Sequence, residues 1–358
     1  MRKIRYAAGL AAALATVTTG MGTATATTNP AAVHGWHWPP SIVTSGLPSQ
    51  VAAPYVDVTE VDDLAAVSQQ SGSRFLTLAF LQTAAPGSCD LTWAGDATKP
   101  VEAAAFGDQI RTIQRRGGNV IPSLGGYTAD TTGTELGDSC SDPDKIAASL
   151  IKLFTTYRVH RVDLDIEADS INNAAGVDRR NLAIAKVQEW GRRHHYPVSF
   201  SYTLPSTPQG LAPSGLAVLA SAAKFHAKID VVNIMTFDYW DGVQHDMLAD
   251  AETAATGLTA QLKSTILPHA TTTQLWRSVG ITQMIGIDDF GPTETYSVDQ
   301  ARSLVSWARQ KGVSLMSFWA LQRDNGTCAG KAGQNDCSGI AQSPWAFSTA
   351  YARFTSWF

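Results

Sequence analysis

Two periodicities alternate along most of this chain, and they constrain its fold more than any other feature. Short apolar or β-branched runs occur at PYVDVT (54–59), FLTLAFL (75–81), NVIPSLGG (119–126) and RVDLDIE (161–167). Four more follow at PVSFSYTL (197–204), VDVVNIMTF (230–237), SVGITQMIG (278–286) and LMSFWAL (315–321). Between them lie stretches such as 104–118, 143–157, 178–194 and 297–312, whose apolar residues recur three and four apart. Runs of the first kind read as strands and those of the second as helices. The last helix opens on Ser297 with Gln300 in the capping-box position and closes on Gly312. Eight strands alternating with helices predict an α/β fold, a single-domain (β/α)8 TIM barrel. An open doubly wound sheet is the alternative, but it ordinarily carries a phosphate-binding glycine turn after its first strand, and none stands there.

The fourth run carries Asp163, Asp165 and Glu167 at every second position, interleaved with Val162, Leu164 and Ile166. On a strand the three carboxyls share one face and the apolar residues the other. An edge strand with a solvated acidic face would produce the same pattern, and carboxylates also suit hard metal ions. No glycine-bearing calcium loop surrounds them, however. Crowded, desolvated carboxyls keep a proton more easily, and a general acid needs that proton near neutral pH. Barrel chemistry is built at the C-terminal ends of strands, which is where this run ends. Other strand ends carry Ser123-Leu124-Gly125-Gly126, Met235 through Trp240, and Trp319 followed by Gln322, Arg323, Asp324 and Asn325. The paired glycines suit either a tight turn or room for a bulky ligand.

The N-terminus has the form of a secretory signal over residues 1–26. Arg2, Lys3 and Arg5 precede the apolar run 7–17, and Ala24-Thr25-Ala26 supplies the cleavage site. That run is shorter than the ~18–20 residues of a membrane span. The expectation is a secreted, extracellular protein, with residues 27–50 as an arm or linker and 51–358 as the barrel domain. His34, Trp36, His37 and Trp38 within the arm suit sugar stacking or packing against the domain. Without the signal the chain has 24 basic and 31 acidic residues, a net charge of −7. No basic run offers a footprint for nucleic acid. Cys89, Cys140, Cys328 and Cys337 permit three disulfide pairings in an oxidising compartment. Pairing Cys328 with Cys337 would close a local loop and leave Cys89 with Cys140 to tie two distant ones. A zinc site is not expected, because there is no CxxC and no His at ligand spacing.

The series VDLDIE, SLGG (123–126), YTLPSTPQGL (202–211), VNIMTFDY (232–239), ITQMIGIDD (281–289) and SFWALQRDNG (317–326) resembles the glycoside hydrolase family 18 chitinases, in particular a secreted bacterial branch. The resemblance implies hydrolysis of β-1,4-linked N-acetylglucosamine polymers with retention, assisted by the substrate's acetamido group. Glu167 would be the acid and then the base. Asp165 would orient the acetamido N–H, and Asp163 would share a proton behind it. Met235 and Asp238 would line the subsite of the reacting sugar, and Trp319 would form its floor. The implied partner is chitin or its oligomers. No metal or organic cofactor is implied, nor contact with nucleic acid or a membrane, and a monomer is expected.

The chain departs from the family pattern in three places. His160-Arg161 precede the acids where Asp-Gly is common, Gln283 replaces a common Pro, and Phe237 stands where many members have a Tyr. Gln283, a candidate substrate contact, either supplies a hydrogen bond or is neutral. Tyr239 would share a strand face with Phe237 and substitute for its missing hydroxyl unless the chain already turns there. Two other readings keep the barrel: an endo-β-N-acetylglucosaminidase acting on N-glycans, and a chitin-binding lectin that does not cut.

Overall fold

Residues 46–355 are described by a computed structural model. The signal segment, the arm up to residue 45 and its four aromatic or imidazole residues lie outside the described residues. Within them, all eight predicted strands form and pair in sequence order, all parallel. They are β1 (Val51–Ala52 and Tyr55–Asp57), β2 (Phe75–Thr83), β3 (Asn119–Gly125), β4 (Arg161–Asp165), β5 (Ser199–Thr207), β6 (Val231–Met235), β7 (Val279–Met284) and β8 (Leu315–Trp319). Closure runs through β1, which Pro54 splits in two. Val51 pairs with Leu315 of β8, whereas Tyr55 pairs with Thr77 of β2. Pro54 has no N–H to contribute, but its carbonyl accepts Thr77 N–H at 2.9 Å.

The surrounding helices are α1 (Leu64–Ser71), α2 (Gly107–Arg115), α3 (Gly126–Thr132), α4 (Leu136–Ser139), α5 (Pro143–Tyr157), α6 (Ala174–Arg193), α7 (Pro213–Lys224), α8 (Met247–Thr265), α9 (Thr272–Trp276), α10 (Val298–Lys311) and α11 (Ala346–Ala352). α10 has the reciprocal Ser297–Gln300 capping box and ends on left-handed Gly312 (φ 86°). None of the described helices is long and apolar enough to cross a membrane.

Alternation on the strands sorts the side chains. Val162, Leu164 and Ile166 join Phe200, Tyr202, Val232 and Ile234 in the core between barrel and helices. Residues of the other parity fill the barrel in three storeys. At the bottom, Leu47, Val51, Ala53, Phe75, Ile121, Val231 and Leu315 form an apolar plug. Leu47 is buried there, so packing of the barrel starts four residues before the boundary placed at 51. The middle storey is polar, with buried Ser123, Asp163, Ser201, Thr203, Asn233, Thr282 and Ser317. At the mouth, Tyr55, Phe80 and Trp319 cluster.

Both disulfides form in the local-plus-distant pairing, Cys328 with Cys337 and Cys89 with Cys140. The C-terminal ends of the strands differ from expectation by one to three residues, and two of these differences bear on the site. β4 stops at Asp165 because the ladder ends at Ile166, whose N–H still reaches Thr203 O at 3.0 Å; Ala168 then turns left-handed (φ 43°). β7 stops at Met284, and the chain enters a hairpin made of Gly286–Asp288 and Gly291–Tyr296.

Candidate active site

Register brings the site together. Asp163 on β4 sits level with Ser123 of β3 and Ser201 of β5, and Asp165 is level with Gly125 and Thr203. All of these face the lumen, so Asp163 becomes the acceptor at the centre of a ring of hydroxyls. Its Oδ2 accepts from Tyr55 Oη at 2.9 Å and Ser123 Oγ at 2.8 Å, and its Oδ1 from Ser201 Oγ at 2.6 Å and Thr203 Oγ1 at 2.9 Å. Asn233 Nδ2 supports Thr203 from behind at 2.9 Å. Burial raises the Asp163 pKa, and the four hydroxyl donors oppose that rise by favouring the anion. The proton expected to pass between Asp163 and Asp165 therefore has no direct hydrogen bond to travel along. Both Asp163 oxygens are already occupied.

Asp165 has the opposite environment. It is buried, its Oδ1 has no hydrogen-bond partner, and burial together with the charges of Glu167, Asp163 and Asp130 raises its pKa well above the usual range. Both carboxyls are shifted toward the neutral acid, and the shift is restrained by hydroxyl donors at Asp163 and reinforced by neighbouring charges at Asp165. Glu167 stands two residues beyond the strand. Burial pushes its pKa up to about 7, the Tyr127 backbone N–H opposes the rise and Asp289 adds to it. That value suits a group that must donate and then recover a proton near neutrality.

The glycines at the end of β3 are turn residues. Both have positive φ, and a Cβ on Gly125 would lie 2.1 Å from Asp165 O while one on Gly126 would lie 2.6 Å from the Phe80 ring. Of the two readings of this pair, the tight turn holds, and protein fills the space beside the glycines. Trp319 and Phe80 stack with ring centroids 5.6 Å apart and planes 10° apart, forming a flat aromatic base at the mouth. Met235 ends β6 half-buried, on the lumen face with Asn233.

Two expected substrate contacts are turned elsewhere. Gln283 is fully buried, and its Nε2 donates to Met247 O of α8 at 3.2 Å. It has the opposite parity to lumen-facing Thr282, so its side chain leaves the barrel and cannot meet substrate there. Tyr239 lies with its ring 5.0 Å from that of His245. Its hydroxyl is buried without a hydrogen-bond partner, and burial, then Asp250, Glu294 and Asp288, raise its pKa. It belongs to a second group of acids instead of replacing a hydroxyl at 237.

That second group holds the loop after β6. Asp238 and Trp240 are both left-handed (φ 56° and 57°), a conformation uncommon for Asp and strained for Trp. The hairpin beyond β7 holds them there. Asp288 Oδ2 accepts Asp238 N–H at 3.2 Å, while Glu294 accepts Tyr239 N–H at 2.9 Å and Trp240 N–H at 3.1 Å, one on each oxygen. Asp238, Asp288 and Glu294 place one oxygen each within 4.8 Å of one another, the spacing of a metal site. With both Glu294 oxygens and both Asp288 oxygens taken by backbone amides, the group is a clamp on the loop. Asp238 Oδ1 has no partner, and burial, then Asp288, Asp289 and Glu294, raise the pKa of this carboxyl. Asp289 acts on both Glu167 and Asp238; burial raises its own pKa, and buried Arg323 opposes that rise. On the rim, Trp240 and Tyr127 are about half exposed, and Trp240 meets Phe290 with centroids 4.1 Å apart.

The hydroxyl ring, Phe80, Asp130, Asp288 and Glu294 are absent from the sequence-based site. Ser201 and Thr203 share the parity of Asp163 on a neighbouring strand, which is a readable signal. Asp130 and Glu294 lie outside any strand end and give none.

A model of the family described as "Glycosyl hydrolases family 18" matches residues 52–314. The catalytic domain of a hyperthermophilic chitinase from Pyrococcus furiosus superposes with a TM-score of 0.74 at 30% identity, covering 86% of this chain and 95% of that one. Catalytic-site mutants of active domain 2 of a thermostable chitinase from Pyrococcus furiosus, solved with chito-oligosaccharides, superpose with a TM-score of 0.74 at 30% identity, covering 86% of this chain and 95% of that one. Among curated relatives, a "Probable bifunctional chitinase/lysozyme" of Escherichia coli is 29% identical over 86% of this chain and 35% of its own length. "Endochitinase 11" of Metarhizium anisopliae is 28% identical over 77% of this chain and 53% of its own length. The chain thus spans about a third to a half of these curated relatives.

Proposed function

Because the chain belongs to glycosyl hydrolase family 18, we propose that it is a secreted chitinase that cuts β-1,4-linked N-acetylglucosamine polymers with retention, assisted by the substrate's own acetamido group. The observation that carries this reading is the unpartnered Oδ1 of buried Asp165, set between a hydroxyl-stabilised Asp163 and a Glu167 whose pKa is about 7. Leaving a buried carboxyl oxygen without a donor costs about 1–3 kcal/mol, a cost that a substrate N–H removes. In the proposed reaction Glu167 gives its proton to the glycosidic oxygen. The acetamido oxygen attacks the anomeric carbon from the other side as the leaving sugar departs. Asp165 accepts the acetamido N–H and, with Asp163 behind it, stabilises the positive charge of the cyclic oxazolinium intermediate. Glu167, now ionised, then takes a proton from water as its oxygen opens that ring and restores the β-anomer. Trp319 and the exposed rim aromatics offer flat faces for the C–H groups of pyranose rings. The signal-like N-terminus and the two disulfides support secretion.

The experiment is incubation of the protein with N-acetylglucosamine oligomers, resolving products by length and anomer. Early β-anomers are expected, with kcat/KM falling above a pH of about 7 as Glu167 loses its proton. Glu167→Gln should abolish turnover with the fold intact; turnover that survives this change removes Glu167 from its role. Glycoprotein N-glycans and peptidoglycan, offered in parallel, test the other substrate classes. Oligomers that bind but stay intact would make the protein a lectin.

A further inference from the structure

β4 ends at Asp165, so the strand ladder does not hold the residue on which the proposed reaction depends. Glu167 N–H is held by a side chain. Asp130 Oδ2, on α3, accepts it at 2.6 Å. From the same short helix, the Tyr127 backbone N–H favours the ionised form of the Glu167 carboxyl. We propose that Asp130 is a positioning residue for the reaction, fixing the backbone of Glu167 so that its carboxyl stays aimed into the site. The inference rests on Glu167 being the acid.

Three features single out this carboxyl. Asp130 is only 1% exposed, so its bond to Glu167 does not compete with water. Its Oδ1 has no partner, which makes a purely stabilising role a poor explanation for an acid at this position. The next residue after Glu167, Ala168, is left-handed, so a backbone freed from Asp130 has no regular structure to return to.

The charge of Asp130 is also set by its neighbours. Glu135 caps α4 and forms a buried ion pair with Arg180 of α6 at 2.6 Å, and Asp138 lies 4.0 Å from the same guanidinium. Facing Asp130 are therefore Glu135, Arg180 and, from the β4 side, Asp165 and Glu167. Burial first, then Glu135, keep it protonated up to about 9. A neutral Asp130 grips Glu167 without adding another negative charge beside Asp163, Asp165 and Glu167.

The test compares Asp130→Ala, Asp130→Asn and Glu167→Gln on a chromogenic chito-oligosaccharide, with melting temperatures measured alongside. Asp130→Leu replaces Asp130→Ala should the latter fail to fold. Removing the acceptor should lower kcat roughly 10- to 100-fold with little change in KM, the size expected when a reacting group is misplaced by about 1 Å. It should also move the alkaline limb of kcat/KM downward, because a loosened Glu167 regains solvent. Asp130→Asn keeps a neutral acceptor and should restore both kcat and the limb. Wild-type kcat in Asp130→Ala, with Glu167→Gln inactive, overturns the inference alone. So does a kcat loss shared equally by Asp130→Ala and Asp130→Asn without any shift in the limb. Full activity of Glu167→Gln overturns the acid assignment and the inference together.

Discussion

Tyr55 and Asp163, 108 residues apart in sequence, meet inside the barrel with the phenol donating to Oδ2 at 2.9 Å. The contact joins the strand that closes the barrel to the strand that carries the acids, so closure and site chemistry depend on each other. Tyr55→Phe removes one of four donors that favour the anion of a buried carboxyl. Hydrogen bonds to charged groups contribute about 1.5–3 kcal/mol. The variant should lose about that much stability in urea titration, and the Asp163 pKa should rise, moving the acid limb of kcat/KM up by roughly one unit. An unmoved limb with unchanged stability would mean that Tyr55 is only packing.

Glu294 holds two successive backbone amides of the loop that carries Asp238. Glu294→Ala frees both and lets the strained Asp238 and Trp240 relax. A fall in kcat of roughly 10- to 100-fold is expected from the misplaced Asp238 carboxyl, with Glu294→Gln intermediate because it retains one acceptor. Steady-state kinetics on soluble oligomers checks this, and wild-type kinetics in Glu294→Ala would show that the clamp does not matter to turnover.

The raised carboxyl pKa values set the pH dependence of stability. Asp130 stays protonated to about 9, and Glu167 and Asp288 to about 7. In the unfolded chain the same groups titrate near ~4. Between those limits the folded protein binds more protons, so their contribution is full below ~4, declines as pH rises, and is gone above about 9. Calorimetry should find a higher melting temperature at a pH of about 6 than at about 9, and a flatter profile in Glu167→Gln. A melting temperature that rises over that interval contradicts the assignment.

The disulfides should contribute unequally. Cys89–Cys140 closes a separation of 51 residues, and loop entropy gives it about 4 kcal/mol; Cys328–Cys337 closes 9 residues and gives about 3 kcal/mol. Replacing each pair by Ser and measuring urea unfolding should rank them in that order. The reverse ranking would show that native contacts, and not loop length, set their contributions.

The barrel, the acid triplet and its place at a strand end are legible in the sequence alone. Each of these is written in local spacing, either a period of two or of three to four, which a short segment carries without its neighbours. The capping box of α10 is legible for the same reason. Tertiary structure decided the rest. The hydroxyls around Asp163 come from β1, β3 and β5, and only the register of those strands makes Tyr55, Ser123, Ser201 and Thr203 converge on one carboxylate. Gln283 was misassigned because being one residue away from the lumen parity reverses its direction. Asp130 and Glu294 reach their partners from a short helix and a hairpin whose docking depends on contacts distant in sequence. The protonation of Asp165 and Glu167 likewise depends on burial and on charges from other segments, which local spacing cannot encode.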